Sequence, residues 1–374
     1  MRRWPYTFLV IVSAFIGILC VVMAQRLGVP LRDPEGFLGP AYVRLPVLAL
    51  FFVALGIVPQ AFRRGGVRGA PAEFMKILRH EWTWARALNV FVGLVGFYIC
   101  YVSYRNIKSY LPLVREDVLF DHDMLQLDHF LMFGNNPAPI LHAWLGTGFT
   151  AELLATSYLG YLPLIPITLG LVLTWSKNAS LGAWYATALS LNWVLGAASY
   201  YIMPTLGPAF FQPSMFAELP DSGVSALQNS LFKNGVNFKA DPTGSDIYGI
   251  AGFASLHVSV VVTACLFFSR TGQRLAVRIA GWVFLATTVL ATIYFGWHYI
   301  ADDIAGALIG WMAVSFGAWS TGNRGRRKRR LEGTDDILDP FDGDMDDGDM
   351  DEGDVDDGDA DDGPPVDSPS VISR

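Results

Sequence analysis

The chain is poor in cysteine and in charge. Its 374 residues include three cysteines, Cys20, Cys100 and Cys265, and each falls inside an apolar run. No disulfide scaffold and no Cys-based metal site follows from that usage. Charged residues make up only 16% of the chain, hydrophobic residues 52%, and 11 Trp and 25 Phe are present. A soluble globular domain usually carries about 25% charge, so an ordinary soluble enzyme and a fibrous protein are excluded as well. Acidic side chains are scarce wherever the chain is apolar: residues 1–330 hold 16 Asp and Glu against 26 Lys and Arg. Residues 331–374 hold 18 acidic side chains and one basic one, Arg374. The formal net charge of -7 therefore averages a basic body and a strongly acidic tail, which need separate readings.

What the body does have is long apolar runs. A bilayer core about 30 Å thick needs roughly 20 apolar residues in a helix. Eight such stretches occur, at about Tyr6–Ala24, Leu45–Phe62, Ala87–Tyr104, Ala151–Trp175, Leu181–Met203, Ile250–Ser269, Val277–Trp297 and Tyr299–Thr321. The expected fold class is all-α, a polytopic transmembrane helix bundle of about eight helices. Lys and Arg mark every second connection: Arg2 and Arg3, then Arg63 to Arg86, Lys177, Arg270 to Arg278, and Arg324 to Arg330. Positive charge favours the cytoplasm, so both termini are expected there, in a multi-pass protein of the plasma (cytoplasmic) membrane. The first run also imitates a signal peptide, with Val22-Met23-Ala24 as its small-residue end; its length favours a retained anchor. Gly65–Trp84 sets Phe74, Ile77, Leu78 and Trp82 among basic residues, as a helix in the cytoplasmic interface does, with a solvated loop as the other reading.

The tail from Leu331 alternates Asp with Gly and can bury almost nothing, so it is expected to be disordered, solubilising or bound to an unknown protein partner. It lacks the flanking helices and closing Glu of an EF-hand. The basic run Arg324 to Arg330 reads as an anchor beside anionic lipid. No feature points to nucleic acid.

Two of the six histidines sit where apolar runs begin on the outer side, His257 after Ala254-Ser255-Leu256 and His298 before Tyr299-Ile300-Ala301-Asp302-Asp303. Helix starts favour anions through their free N–H groups and dipole. Residues four apart lie about 40° apart around a helix and residues five apart about 140°, so Asp302 can reach back to His298 while Asp303 faces elsewhere. A carboxylate on one ring nitrogen fixes the tautomer and aims the other nitrogen, as a nucleophilic histidine requires. The plain alternative is that these polar groups only bond neighbouring helices.

These residues resemble the second and third motifs of the type 2 phosphatidic acid phosphatase superfamily. The run Thr292-x-Tyr294-x3-His298-Tyr299-x2-Asp302, together with Ser199-Tyr200-x3-Pro204-Thr205, resembles its inositol phosphorylceramide synthase-like branch. The resemblance spans about Arg105 to Trp311. It implies His298 as the nucleophile that takes a phosphoryl group, Asp302 as its orienter, and His257 as the acid and then base. It implies Ser255 at a phosphate oxygen, with Thr292 and Tyr294 in the same subsite and Tyr200, Pro204 and Thr205 on the substrate side. No metal and no cofactor are implied. Thr292 stands where the phosphatase pattern has Arg, and no clear Lys-x6-Arg-Pro motif exists. Arg105 and Lys108 are the best substitutes as phosphate ligands, and Arg115 is a weaker one.

The outer segment Phe120–Phe130 clusters Asp121, His122, Asp123, Asp128 and His129, which raises a metal site. Leu125, Leu127, Phe130 and Leu131 alternate with them as in a short amphipathic helix on the interface, ended by Gly134-Asn135-Asn136-Pro137, and that reading as a lid or substrate-side platform is preferred. The resulting division is residues 1–86 as N-terminal membrane helices with the basic interface segment, 87–321 as the catalytic membrane domain, and 322–374 as basic anchor and tail. The function implied is a lipid phosphotransferase with a phosphohistidine intermediate at the extracytoplasmic face, taking a membrane lipid as substrate and passing inositol phosphate, or another polar-head phosphoryl group, to a hydroxyl acceptor such as inositol. A lipid or polyprenyl phosphate phosphatase with water as acceptor, and a non-catalytic transporter or scaffold, stand as alternatives.

Overall fold

Eighteen to 25 residues of mostly apolar sequence per run, interrupted by Gly, Pro and Asn, leave helices as the way to satisfy backbone groups in lipid. A computed structural model of the chain describes residues 4–36, 39–115, 118–250 and 252–324. Among them the regular elements are helical. The expectations for the basic run beyond Arg324 and for the acidic tail fall outside the described residues.

Among the described residues six helices are long and apolar enough to cross a membrane: α1 (Thr7–Leu27), α2 (Ala41–His80), α3 (Trp84–Ser109), α7 (Phe149–Trp175), α12 (Leu275–Tyr294) and α13 (Ile300–Ser320). The chain is a multi-pass membrane protein. Between α3 and α7 lie the short helices α4 (Leu111–Val114), α5 (Asp121–Leu131) and α6 (Pro137–Leu145). The two other expected spans are present as α8 (Ala179–Ile202) and α11 (Leu256–Arg270), separated by α9 (Pro208–Phe211), a 3-10 turn (Pro213–Phe216) and α10 (Gly223–Ala240).

The helix α8 is the axis of the bundle. It packs against α1, α3, α7, α11 and α13, and every side chain from Leu181 to Trp193 is buried. Its Ser, Thr and Asn content is possible because protein rather than lipid surrounds it: Asn192 donates to Ala188 O at 2.8 Å and to Thr263 Oγ1 at 3.0 Å, and accepts from Ser259. The N-terminal helix α1 shares this core, with Leu9 and Ile16 beside Val90, Leu94 and Trp184. Helices α1 and α12 carry the reverse pattern, with Phe15 and Ile18, and Trp282 and Val283, exposed as a lipid-facing surface requires.

Two expectations change in detail. The sixth run begins its helix at Leu256 rather than Ile250, because Ser255 caps it by accepting Val258 N at 3.4 Å. The segment Gly65–Trp84 is helical to His80 as a continuation of α2, with a break at Gly66, where φ is 62°; Thr83 then caps α3.

Close approach of α11 and α13 sets the site. A Cβ on Gly306 would run into the backbone oxygen of Ser255. The absence of a side chain lets Ser255 N donate to Asp302 O at 2.9 Å, tying the first turns of both helices together.

Candidate active site

His298 stands one residue before the capping position of α13. The turn that carries it is closed by Trp297 N and His298 N, which both donate to Thr292 O, at 2.8 and 3.3 Å. One helical turn later Asp302, fully buried, places Oδ2 3.4 Å from His298 Nδ1 and accepts Tyr299 N at 2.9 Å. Asp303 makes a different hydrogen bond: its Oδ2 accepts the Thr292 hydroxyl at 2.8 Å, while its charge still reaches His298 and Ser255. Asp302 therefore reaches His298 as the spacing of four suggests, although His298 precedes the helix, and Thr292 is a partner of Asp303.

His257 is the second residue of α11. Its ring lies between Tyr158 and Tyr161 of α7, at centroid distances of 4.6 and 4.5 Å, and 5.8 Å from the His298 ring. Trp297 stacks on the other side of Tyr158 at 5.3 Å with rings nearly parallel. The site thus holds two imidazoles at the N-termini of two helices, walled by aromatic rings. His257 Nδ1, Asp302 Oδ1, Asp303 Oδ1 and Trp297 Nε1 are buried without a partner, an unusual concentration for a finished interior.

A cation that acts on this group is Lys108 of α3. Its Nζ lies 5.2 Å from the Tyr200 ring centroid and 5.9 Å from that of Tyr104, and those two hydroxyls are 3.4 Å apart. Lys108 and His298 both act electrostatically on His257. Arg105, one turn earlier, acts on Lys108 and on Tyr101. Arg115 has a buried Nε without a partner and belongs to the segment after α4.

The other expected site residues act mainly through their backbone or away from the histidines. Tyr294 donates its hydroxyl to Gly146 O at 2.7 Å. Pro204 O accepts Phe120 N, and Thr205 O accepts Gly252 N, both at 2.9 Å. Ser199 Oγ donates to Phe253 O at 3.1 Å and accepts Ala254 N at 3.0 Å, so it secures the strand of chain that leads into Ser255.

Helix α5 is the expected short helix, but it shows a different face inward. Its buried residues are Asp121, Met124, Leu125 and Asp128, while Phe130 is 78% exposed. Asp121 accepts Leu206 N, Gly207 N and the Tyr299 hydroxyl; Asp128 accepts Ile300 N. These acceptor roles make burial of two carboxylates tolerable. Sequence reasoning lays the apolar residues on the membrane interface and weighs the two aspartates only as metal ligands, so their role as acceptors for the turn after His298 is missed. The i, i+3, i+4, i+7 spacing of 121, 124, 125 and 128 was the available signal. Among the described residues no group of three or more His, Cys, Asp or Glu side chains is placed to hold a metal.

A cavity of about 490 Å³ lies at the other end of α3, lined by Tyr6, Arg86, Asn89 and Lys177. It is remote from the histidine pair and shares no residue with it.

No curated protein and no solved structure matches the chain significantly. The family model described as PAP2 superfamily matches residues 122–316, more than half of the chain, from α5 through most of α13 and including both histidines, Asp302 and Asp303. The chain therefore belongs to the PAP2 superfamily and is an enzyme of phosphatase or phosphotransferase type.

Proposed function

We propose that the chain is a lipid phosphotransferase of the inositol phosphorylceramide synthase-like branch, working through a phosphohistidine at the extracytoplasmic face of the plasma membrane. The observation that carries this reading is the buried His298–Asp302 pair, facing His257 at the start of a second helix. With Nδ1–H directed at Asp302, Nε2 of His298 holds the lone pair. That nitrogen attacks phosphorus, the Nε2–P bond forms, and the P–O bond to the departing group breaks. The departing oxygen takes its proton from protonated His257. In the second step an acceptor hydroxyl gives its proton back to His257 and attacks phosphorus, and the P–N bond breaks to free His298. Asp302 offsets the positive charge that His298 carries between the steps.

Lys108 and Ser255 are the side chains available to phosphate oxygens, with Arg105 adding field; at the helix starts Val258 N, Tyr299 N and Ile300 N are already bonded. The scarcity of cations beyond these supports a phosphodiester headgroup over a doubly charged terminal phosphate. Inositol phosphate is the transferred group that the motif resemblance favours.

Product analysis tests the reading. Purified protein in mixed micelles is given phosphatidylinositol, phosphatidic acid and a polyprenyl phosphate, each with and without a hydroxyl lipid acceptor. Label appearing on the acceptor is the expected result. Release only as inositol phosphate from phosphatidylinositol, or as free phosphate from the two monoesters, would make water the acceptor, and no turnover of any of them would remove the proposal. Orientation is tested with Phe133→Cys, 95% exposed, and Val67→Cys, 82% exposed; the three native cysteines are buried. A membrane-impermeant maleimide should label the first in intact cells and the second only after permeabilisation. The opposite pattern would turn the site inward.

A further inference from the structure

The turn that bears His298 is gripped by more than its own helix. Asp121 of α5 gathers three donors: Leu206 N at 2.9 Å, Gly207 N at 2.9 Å and the Tyr299 hydroxyl at 3.0 Å. Asp128, two helical turns along the same face, accepts Ile300 N at 3.1 Å. Tyr299 and Ile300 are the two residues after the nucleophile. The other flank is held by the segment that Asp121 also fixes. Ala209 N donates to Gly296 O at 2.8 Å, and Gly207, at φ +92°, approaches so closely that a Cβ there would lie 2.5 Å from Trp297 O. Residues 296–300 are therefore clamped between α5 and the 204–209 segment, with Asp121 bonded to both sides of the clamp.

We infer that Asp121 and Asp128 are positioning residues for the nucleophile, holding Tyr299 and Ile300 so that His298 keeps its Nε2 aimed at phosphorus while Nδ1 stays on Asp302. The inference rests on the phosphohistidine reading. Both aspartates are almost fully buried, at 0% and 1% exposure, and Asp302 and Asp303 add negative charge nearby. Burial and those neighbours push the Asp128 carboxyl up to about 7, against the opposing effect of the Ile300 N–H. Asp121 is also raised by burial, with Leu206 N, Gly207 N and the Tyr299 hydroxyl acting the other way. What they gain is directional: strong acceptors fix N–H and O–H groups within the first turn of α13, where an error of about 1 Å costs on the order of a hundredfold in rate.

The experiment measures phosphoenzyme formation in a single turnover and KM in steady state, on full-length protein in micelles, with the three radiolabelled lipids named above. Tyr299→Phe removes only the hydroxyl that reaches Asp121. Asp128→Ala removes the acceptor for Ile300 N, and Asp128→Asn restores one through its amide oxygen. Asp123→Asn, on the exposed face of the same helix, is the control. Tyr299→Phe and Asp128→Ala should slow phosphoenzyme formation roughly ten- to a hundredfold with KM nearly unchanged, and Asp128→Asn should recover most of the rate. If Asp128→Ala does not fold, Tyr299→Phe still decides. Rates within twofold of the parent, or losses that follow the folded fraction alone, would overturn the inference while leaving the nucleophile assignment intact. A parent protein that forms no phosphoenzyme would overturn the reading beneath both.

Discussion

Replacing Asp302 with Asn exchanges one oxygen for an amide group in a fully buried position and leaves the shape almost unchanged. The remaining amide oxygen can still accept Tyr299 N, so the first turn of α13 keeps its geometry. The charge facing His298 is lost. At the observed 3.4 Å and an effective dielectric constant of about 20, a carboxylate and an imidazolium attract by about 5 kcal/mol. That attraction exists only while His298 is positive, so it lowers the barrier rather than aiding substrate binding. The amide dipole retains part of it, and a loss in kcat on the order of a thousandfold is expected. Asp303→Asn is the matched comparison. Its Oδ2 bonds the neutral hydroxyl of Thr292, and its charge acts on His298 without the hydrogen bond that Asp302 makes; exchanging the Thr292 bond is worth about 1 kcal/mol, or roughly fivefold. The assay is initial rate on the substrate found by product analysis, with thermal unfolding of each variant to confirm that both are folded. Losses within threefold of each other would refute the division of labour between the two adjacent carboxylates.

Three further outcomes follow from the same coordinates. The Asp128 carboxyl, pushed up to about 7 by burial and by its acidic neighbours, lies above the unfolded value of about 3.9. The folded state thus holds this proton more tightly, and the stability that Asp128 contributes is complete below about pH 4 and lost as pH rises through about 7. Asp128→Asn lacks that slope, so the unfolding temperature of the variant relative to the parent should increase from about pH 5 to about pH 8; a constant difference would contradict it. Lys108→Gln should lower kcat/KM roughly ten- to a hundredfold by removing a charged phosphate ligand, and no change would remove Lys108 from the site. Gly306→Ala should cost about 1–3 kcal/mol of stability and most of the activity, since its methyl group would displace Ser255. Gly69→Ala, which meets nothing within 4 Å, serves as the neutral case in the same unfolding assay.

Much of this architecture was legible in the amino-acid order, for reasons that can be traced to individual residues. All eight apolar runs became helices because backbone groups in lipid must bond within their own segment. The His298–Asp302 pair was legible because a spacing of four fixes a shared face with no help from the rest of the fold. Positions set by tertiary contact were harder to read. The helix α11 starts inward of its apolar run at the Ser255 cap, and that cap is held in place by Ser255 N donating to Asp302 O, a bond between segments far apart in sequence. The motif places Thr292 in the phosphate subsite, but its hydroxyl bond to Asp303 is set by the fold and not by the amino-acid order. Asp121 and Asp128 were hidden by the ordinary rule that carboxylates face water; their partners, Leu206, Gly207, Tyr299 and Ile300, are brought to them only by folding. Lys108 could be placed at the outer end of α3 from sequence, but its seat over Tyr104 and Tyr200 depends on α8.

The central claim is that His298 carries the phosphoryl group. Rapid acid-free quench of the full-length protein with radiolabelled lipid should trap a phosphoprotein within the first turnover. The label should be lost in mild acid, survive alkali as a phosphoramidate does, and map to His298; His298→Asn should abolish it and His257→Asn should slow its formation and discharge. Full turnover without any trapped phosphoprotein, or a label that persists in His298→Asn, would contradict the account.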